Sequence, residues 1–313
     1  MKSLEASLRA GLFLACALVI PACNYGNNYN NGPYNIAWYV DPVNGVDGYG
    51  YGSPAFPFRT IRFALLQAIS GDSIFLATGT YSAAGGTGEI FPILLKPGVT
   101  MVGDPATNGS STTIVDGGNY LVSGGAHAGT PLSAAVVMGA GSSLSGVQIS
   151  VSGTTGVGVV FDGSTASLTN CTLSGCGASG VQVFQAASPT LASNIITQSG
   201  ASGVATFDTS APLLRQNTIS SSAAGAVGVL ASDTSIPNLG DSFSAGANLL
   251  QSNTQESLTN ATASSAIPAA GNTWNASVQG ADTQGHYPSG PANPALVGTN
   301  YSITNSPAAS IQF

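Results

Sequence analysis

Two aspartates and a glutamine occupy one position of a repeating unit, and their spacing is the closest approach to a catalytic arrangement in this chain. Asp162, Gln185 and Asp208 follow one another at intervals of 23 residues. If each interval is one solenoid coil with a strand spacing of about 4.8 Å, the two carboxylates lie about 9.6 Å apart. That separation is at the upper limit for an inverting glycosidase pair, roughly 6.5–9.5 Å. The alternative is that all three are corner residues that bond to local backbone.

Other residues able to do chemistry are sparse. Between residues 144 and 230 the charged side chains are Asp162, Asp208 and Arg215. Elimination from a uronate needs a base and, commonly, Ca²⁺ held by clustered carboxylates, and the sequence places neither. His127 and His286 stand in glycine-rich segments with no Ser or Asp partner placed beside them, so we expect loop residues. The sequence predicts no metal site and no cofactor.

An apolar repeat of about 23 residues predicts the elements that position these side chains. A fixed period with apolar residues in register indicates a solenoid, and a unit this short fits one coil of strands and turns. We therefore predict an all-β fold, a single-stranded right-handed parallel β-helix with a short N-terminal capping α-helix. The three predicted columns are Val137, Phe161, Phe184, Phe207 and Leu230; Leu144, Leu168, Leu191 and Leu214; and Ile149, Leu173, Ile196 and Ile219.

The pattern Leu-x-x-Asn-x-Ile recurs at residues 191–196 and 214–219. Side chains of a strand alternate between its two faces, so Leu and Asn can both point inward only if the chain bends between them. Asn194 and Asn217 are then predicted to form a structural ladder, in which stacked amides bond from coil to coil. Cys171 holds the preceding position of this column.

Composition limits the classes of partner. Of the 313 residues, 43% are hydrophobic and only 6% are charged, with a formal net charge of −7. Nucleic acid is excluded as a partner, because neutralising phosphates needs a basic surface. An anionic polysaccharide is also poorly attracted to such a chain.

Residues 36–103 carry a family resemblance. Its main motifs are Trp38-Tyr39-Val40-Asp41-Pro42, Gly52-Ser53-Pro54, Phe58-Arg59-Thr60-Ile61 and Pro97-Gly98-Val99-Thr100. This stretch resembles the N-terminal module of a bacterial domain family of unknown function within the pectin-lyase-like β-helix superfamily. The resemblance implies a parallel β-helix, and it implies no particular ligand because that family has no assigned activity.

Within this module, residues 60–69 are predicted to form the capping helix. Ile61, Ala64, Leu65, Ala68 and Ile69 repeat at helical spacing, and Gly71 follows as a stop signal. The apolar stripe is expected to cover the open first coil, which leaves Arg59 and Arg62 facing solvent. Residues 74–77 are predicted as the first strand of the solenoid.

Residues 1–23 have the charge and length of a secretory signal. The segment ends in Ile20-Pro21-Ala22-Cys23, which resembles the bacterial lipoprotein box and implies lipid attachment at Cys23. Residues 24–35 then form an Asn/Gly/Tyr-rich tether, and Asn24 implies an outer-membrane or cell-surface location. Ordinary cleavage after Ala22, with free secretion, is the alternative.

The remaining boundaries are 36–103 for the cap and first coils, 104–279 for the coils and 280–313 for a C-terminal capping segment. In that last segment, Tyr287, Tyr301 and Ile303 are expected to cover the end of the solenoid. Cys171 and Cys176 are either a disulfide, which an exported protein permits, or two buried thiols.

Two functions are consistent with these residues. The first is an exported, monomeric, non-catalytic solenoid that binds polysaccharide or cell-envelope glycan or acts structurally, with membrane contact only through a lipid anchor. The second is a divergent polysaccharide-degrading enzyme, a glycosidase rather than a lyase, that uses Asp162 and Asp208. Carboxylates facing an open groove would favour the enzyme, whereas corner positions with satisfied backbone bonds would favour the first.

Overall fold

The computed structural model of this chain describes residues 35–83, 87–220, 226–253, 257–262, 266–275, 303–305 and 310–312. The predicted export segment with Cys23, the tether up to residue 34, and His286, Tyr287 and Tyr301 lie outside the described residues. No helix in the described ranges is long and apolar enough to span a bilayer.

The described chain consists almost entirely of short strands. The first thirteen are β1 Ala37–Val40, β2 Ser73–Leu76, β3 Gly79–Ser82, β4 Ile93–Leu95, β5 Thr100–Val102, β6 Thr112–Val115, β7 Gly118–Leu121, β8 Pro131–Met138, β9 Ser143–Ser145, β10 Gln148–Ser150, β11 Gly156–Asp162, β12 Ser167–Thr169 and β13 Thr172–Ser174. The rest are β14 Ser179–Phe184, β15 Thr190–Ala192, β16 Ile195–Thr197, β17 Ser202–Thr206, β18 Leu213–Arg215, β19 Thr218–Ile219, β20 Val227–Ala231, β21 Leu249–Gln251, β22 Leu258–Asn260, β23 Ala266–Pro268, β24 Thr273–Asn275, β25 Ile303–Asn305 and β26 Ser310–Gln312. One α-helix, α1 (Ile61–Gln67), and one 3-10 turn (Pro105–Thr107) accompany them.

Three parallel sheets run the length of the solenoid, and successive coils add one strand to each. The orders are β1-β2-β5-β9-β12-β15-β18, β3-β6-β10-β13-β16-β19-β21-β24 and β4-β8-β11-β14-β17-β20-β22-β25, while β23 pairs with β26. This topology is that of a parallel β-helix and confirms the predicted fold class. Two of the predicted columns are also confirmed, because Leu144, Leu168, Leu191 and Leu214 are successive register partners, as are Ile149, Leu173, Ile196 and Ile219.

The predicted phenylalanine column is wrong. Phe161 pairs with Val183, 22 residues later rather than 23, and its side chain lies in the interior of the solenoid. Phe184 instead pairs with Asp162 and belongs to a separate cluster. A shift of one residue moves a side chain to the opposite face of a sheet, so the constant sequence spacing concealed a change of face.

This separate cluster, called the outer cluster here, lies beneath a hairpin. β7 pairs antiparallel with β8 and places the loop 122–130 beside the third sheet. The outer cluster then buries apolar side chains on the side of that sheet away from the solenoid interior. Its buried members are Val122, Leu132, Ala134, Val137, Val157, Val160 and Phe184.

The N-terminal cap follows the prediction in type but not in extent. Helix α1 begins after Thr60, whose side chain accepts a hydrogen bond from the N–H of Phe63, and it ends at Gln67. Ile61, Ala64, Leu65 and Ala68 are buried, whereas Ile69, beyond the end of the helix, is 64% exposed. Arg59 and Arg62 are exposed, as expected for the outer side of a cap. The first strand is β1, not the predicted segment at 74–77, because Ala37–Val40 pairs with β2 from outside.

The asparagines lie in one buried row along the axis. Asn194 Nδ2 donates to Asn217 Oδ1 at 3.0 Å, and Asn217 Nδ2 donates to Asn248 Oδ1 at 3.0 Å. Asn248 Nδ2 in turn donates to Asn272 Oδ1. The preceding residues Ser193 and Gln216 adopt left-handed backbone conformations, which produce the bend between Leu and Asn.

Both cysteines within the described residues are free and buried. Cys171 contributes its backbone N–H to the asparagine row, as donor to Asn194 Oδ1. Burial raises the pKa of the Cys171 thiol to about 12 and that of Cys176 to about 11. Thiols held in this form are poor nucleophiles, which agrees with a packing role.

Candidate functional site

The carboxylates predicted as a catalytic pair lie where the third sheet meets a tight corner. Gly163, Gln185, Asp208 and Asp233 all adopt left-handed backbone conformations there, with φ of 68°, 59°, 55° and 57°. They form successive corners, called the corner column here. Asp162 precedes this column by one residue and ends β11, so it is not equivalent to Asp208, as the 23-residue spacing had suggested.

Asp162 holds the hairpin loop by three hydrogen bonds. Its Oδ2 accepts from the Tyr120 hydroxyl and from the Ser123 N–H, both at 2.6 Å, and its Oδ1 accepts from Gln185 Nε2 at 2.5 Å. Burial acts to raise the pKa of Asp162, but the hydrogen bonds outweigh it and the pKa is lowered. The pKa of Tyr120 is raised, first by burial and then by this carboxylate.

Asp208 also joins the hairpin to the solenoid. It is 9% exposed, its Oδ1 accepts from the Ala126 N–H at 2.7 Å, and its Oδ2 accepts from the Gln185 N–H at 2.8 Å. Both oxygens therefore bond to backbone. The structure brings Asp162, Gln185 and Asp208 together in one network whose other partners are the hairpin loop.

Asp233 and His127 complete this network, and sequence reasoning placed neither of them in it. Asp233 Oδ2 accepts from the Asp208 N–H at 2.8 Å and lies 2.9 Å from His127 Nε2. Burial acts to raise the pKa of Asp233, but the Asp208 N–H and His127 lower it overall. Asp233 follows Asp208 by 25 residues, which breaks the 23-residue period. The partners His127 and Asp233 are 106 residues apart, so no local pattern relates them.

Two phenylalanines position the imidazole. The rings of Phe184 and Phe207 are stacked, with centroids 5.0 Å apart and planes inclined by 10°. His127 packs against both, with its centroid 4.7 Å from that of Phe207 and 5.8 Å from that of Phe184. The tip of the hairpin is thus fixed by aromatic packing as well as by polar bonds.

A general acid must be protonated at the working pH, and a nucleophile or base needs a free path to the substrate. Asp162 fits the first role poorly because its pKa is lowered. Asp208 fits the second poorly because it is buried and bonded to two backbone N–H groups. As it stands, the network is suited to fastening the hairpin.

Carboxylates elsewhere behave in the same way. Every carboxylate in the described part of the chain accepts at least one hydrogen bond from the protein itself, and most accept from backbone N–H groups. Outside the network these are Asp41, Asp47, Asp72, Glu89, Asp104, Asp116 and Asp241.

An exposed aromatic surface lies on the cap. Tyr49 is 94% exposed and Phe56 is 61% exposed, and the ring of Tyr51 meets that of Phe56 edge-on at 6.2 Å. Val43, in the same loop, is 75% exposed. Exposed aromatic rings of this kind can stack on the apolar face of a sugar.

The fold has relatives among solved structures, at low similarity. Two crystal structures of GH136 lacto-N-biosidase from Eubacterium ramulus, a selenomethionine derivative and the native protein, are each 10% identical to this chain, with TM-scores of 0.39 and 0.37. They cover 88% and 89% of this chain and 68% of their own length. Comparison with curated proteins finds no match.

A family profile described as "Protein of unknown function (DUF1565)" matches residues 43–279, which is more than half of the chain. The match includes most of the cap motifs and the coils that form the three sheets. It confirms the predicted resemblance to a β-helix domain family without an assigned activity. The chain belongs to the DUF1565 family.

Proposed function

We propose that this protein is an exported, non-catalytic β-helix that binds glycan of the cell envelope. The observation that carries the non-catalytic part is the bonding of Asp162 and Asp208. Both carboxylates accept hydrogen bonds from the hairpin loop and from Gln185. A substrate could reach their oxygens only after the loop had moved away.

The glycan part of the proposal draws on chemistry at the surface. Tyr49 and Phe56 offer aromatic faces, and the outward positions of the second sheet carry mostly neutral side chains that can bond to sugar hydroxyls. In that sheet Thr80, Thr113, Gln148, Thr172 and Thr218 follow one another or their register partners. The low content of charged residues favours a neutral glycan over an anionic one.

The alternative proposal is a divergent glycosidase. It is favoured by the placement of Asp162 and Asp208 in one hydrogen-bonded network. It requires the hairpin loop to open and release both carboxylates. An enzyme of this kind would be active only while the His127–Asp233 contact is broken.

A polysaccharide panel distinguishes the two. The purified protein is tested on neutral and anionic glycans for binding and for release of reducing ends. Binding without release, weakened by Tyr49→Ala and Phe56→Ala but not by Asp208→Asn, is the expected result. Release that Asp208→Asn abolishes would replace our proposal with the glycosidase. Neither binding nor release would leave a structural role in the envelope.

We further propose that Cys23 carries a lipid that anchors the protein to the outer membrane or cell surface. The box Ile20-Pro21-Ala22-Cys23 and the uncharged tether after it support this location. Cys23→Ser should move the protein from the membrane fraction to the medium, and mass spectrometry of the wild-type N-terminal peptide should show the lipid. An unmodified mature protein that begins at Cys23 would instead support free secretion.

A further inference from the structure

The tip of the hairpin brings a histidine against two carboxylates of the corner column. His127 Nε2 lies 2.9 Å from Asp233 Oδ2. One possible ligand atom from each of His127, Asp208 and Asp233 lies within 4.8 Å of the others. Within the described ranges this is the one group of three such residues that converges so closely. The residues come from three separate segments, the loop after β7 and the corners after β17 and β20.

The charge at this point is incompletely balanced. In the part of the chain that the structure describes, ion pairs join His127 to Asp233 and Arg215 to Asp241. Asp208 is buried and has no Lys or Arg partner, so the N–H groups of Ala126 and Gln185 are its stabilising contacts. A buried carboxylate is costly unless paired or bound to a metal. A cation between Asp208 and Asp233 would supply the missing positive charge.

The carboxylates are held in place before any ion arrives. Backbone N–H groups orient Asp208, and its own N–H orients Asp233. A carboxylate has about four acceptor positions, so these bonds leave lone pairs for an ion. The stacked rings of Phe184 and Phe207 fix the imidazole. Contacts of this kind around the ligands raise metal affinity by holding them in position.

We propose that His127, Asp208 and Asp233 bind a divalent transition-metal ion of the Zn²⁺ or Mn²⁺ type, which fastens the hairpin loop to two coils. One imidazole nitrogen and two carboxylate oxygens suit such ions. Ca²⁺ and Mg²⁺ prefer oxygen ligands alone and are expected to bind more weakly. Solvent fills the remaining positions. This site is independent of the proposed glycan binding, because it acts on the hairpin.

The test uses the full chain without an affinity tag, stripped with EDTA and then titrated with Zn²⁺, Mn²⁺ and Ca²⁺ in a calorimeter. We expect saturable binding of Zn²⁺ or Mn²⁺ and a rise in melting temperature that EDTA reverses. His127→Gln keeps a hydrogen-bond donor near Asp233 but removes the imidazole, and it should lower the affinity at least about tenfold. Asp233→Asn should do the same.

Asp162→Asn is the matched control, because it weakens the same hairpin without removing a ligand. It should keep the wild-type affinity. Equal loss in Asp162→Asn and His127→Gln would mean that an ordered hairpin, not ligation, governs the affinity, and would overturn the assignment. No binding of Zn²⁺ or Mn²⁺ up to about 1 mM, or unchanged binding by His127→Gln, would reduce the cluster to a plain ion pair.

Discussion

The carboxylate of Asp208 accepts a hydrogen bond from the backbone N–H of Ala126 at 2.7 Å, although the two residues are 82 positions apart in the sequence. Asp162 and Asp233 make comparable bonds to the same loop, from the coils on either side. Three successive coils therefore hold one hairpin. The carboxylates that first suggest catalysis are the residues that position this loop.

Asp208→Asn should loosen the hairpin. The replacement tolerates the left-handed corner but removes the charge and one acceptor, which should lower the free energy of unfolding by about 1–2 kcal/mol. Hydrogen exchange of residues 118–131 should rise more than that of the coils. Asp241→Asn, at another corner, should leave exchange in the hairpin unchanged. Uniform exchange in both variants would contradict the fastening role.

Phe161→Ala and Phe184→Ala should both lower the free energy of unfolding by about 3–5 kcal/mol, as expected for truncating buried phenylalanines. They should differ in where the structure loosens. Phe184→Ala opens the outer cluster, so exchange should increase first in the hairpin. Phe161→Ala leaves a cavity inside the solenoid, so exchange should increase in the adjacent coils. An unchanged melting temperature for Phe184→Ala would contradict its burial.

Asn217→Ala should break the asparagine row at its middle. Asn194 Nδ2 would lose its acceptor and Asn248 Oδ1 would lose a donor. Each buried group left without a partner costs about 1–3 kcal/mol, so we expect a total loss of roughly 2–5 kcal/mol in urea denaturation. Thr218→Ala, one residue later and half-exposed, is the control and should change stability by less than about 1 kcal/mol. Equal effects would show that the row contributes no special stability.

Glu89 should make the cap less stable as the pH rises. Burial raises its pKa to about 7, against the opposing effect of the N–H groups of Ile61 and Arg62. The folded state therefore binds a proton that the unfolded state lacks between about pH 4.5 and pH 7, and stability falls across this window. We expect a loss of about 1–3 kcal/mol from pH 4.5 to pH 7.5.

Glu89→Gln is the comparison for this effect, because a glutamine stays neutral throughout. Its stability should decline less than that of the wild type over the same window, as measured by denaturation at each pH. Parallel curves for the two proteins would mean that Glu89 has the same pKa in the folded and unfolded states.

The sequence predicted the parts of the fold in which each coil repeats the one before it. Leu168 and Leu191, or Leu173 and Ile196, keep both their spacing and their side of the sheet, because inward-facing positions must be apolar in every coil. The spacing failed at Phe161 and Phe184, where one coil is a residue shorter in the third sheet. Corner residues absorb such a change through their backbone, and a column of similar side chains cannot reveal it.

The network at the corner column could be predicted only in part. Asp162 and Asp208 were found from their spacing, but their role depends on a hairpin that interrupts the repeat. Ala126, Ser123 and His127 belong to a single loop with no counterpart in other coils. Contacts between an unrepeated loop and a repeated scaffold leave no periodic signal.

The hairpin also imposes an order on folding. Strands β7 and β8 can pair once the chain is complete to about residue 138, but the bonds to Asp162, Asp208 and Asp233 join residues separated by 39, 82 and 106 positions. During synthesis or export, the apolar underside of the hairpin must wait for coils that emerge later. Mutations that delay those coils should therefore cause aggregation of growing chains, even where the finished protein is stable.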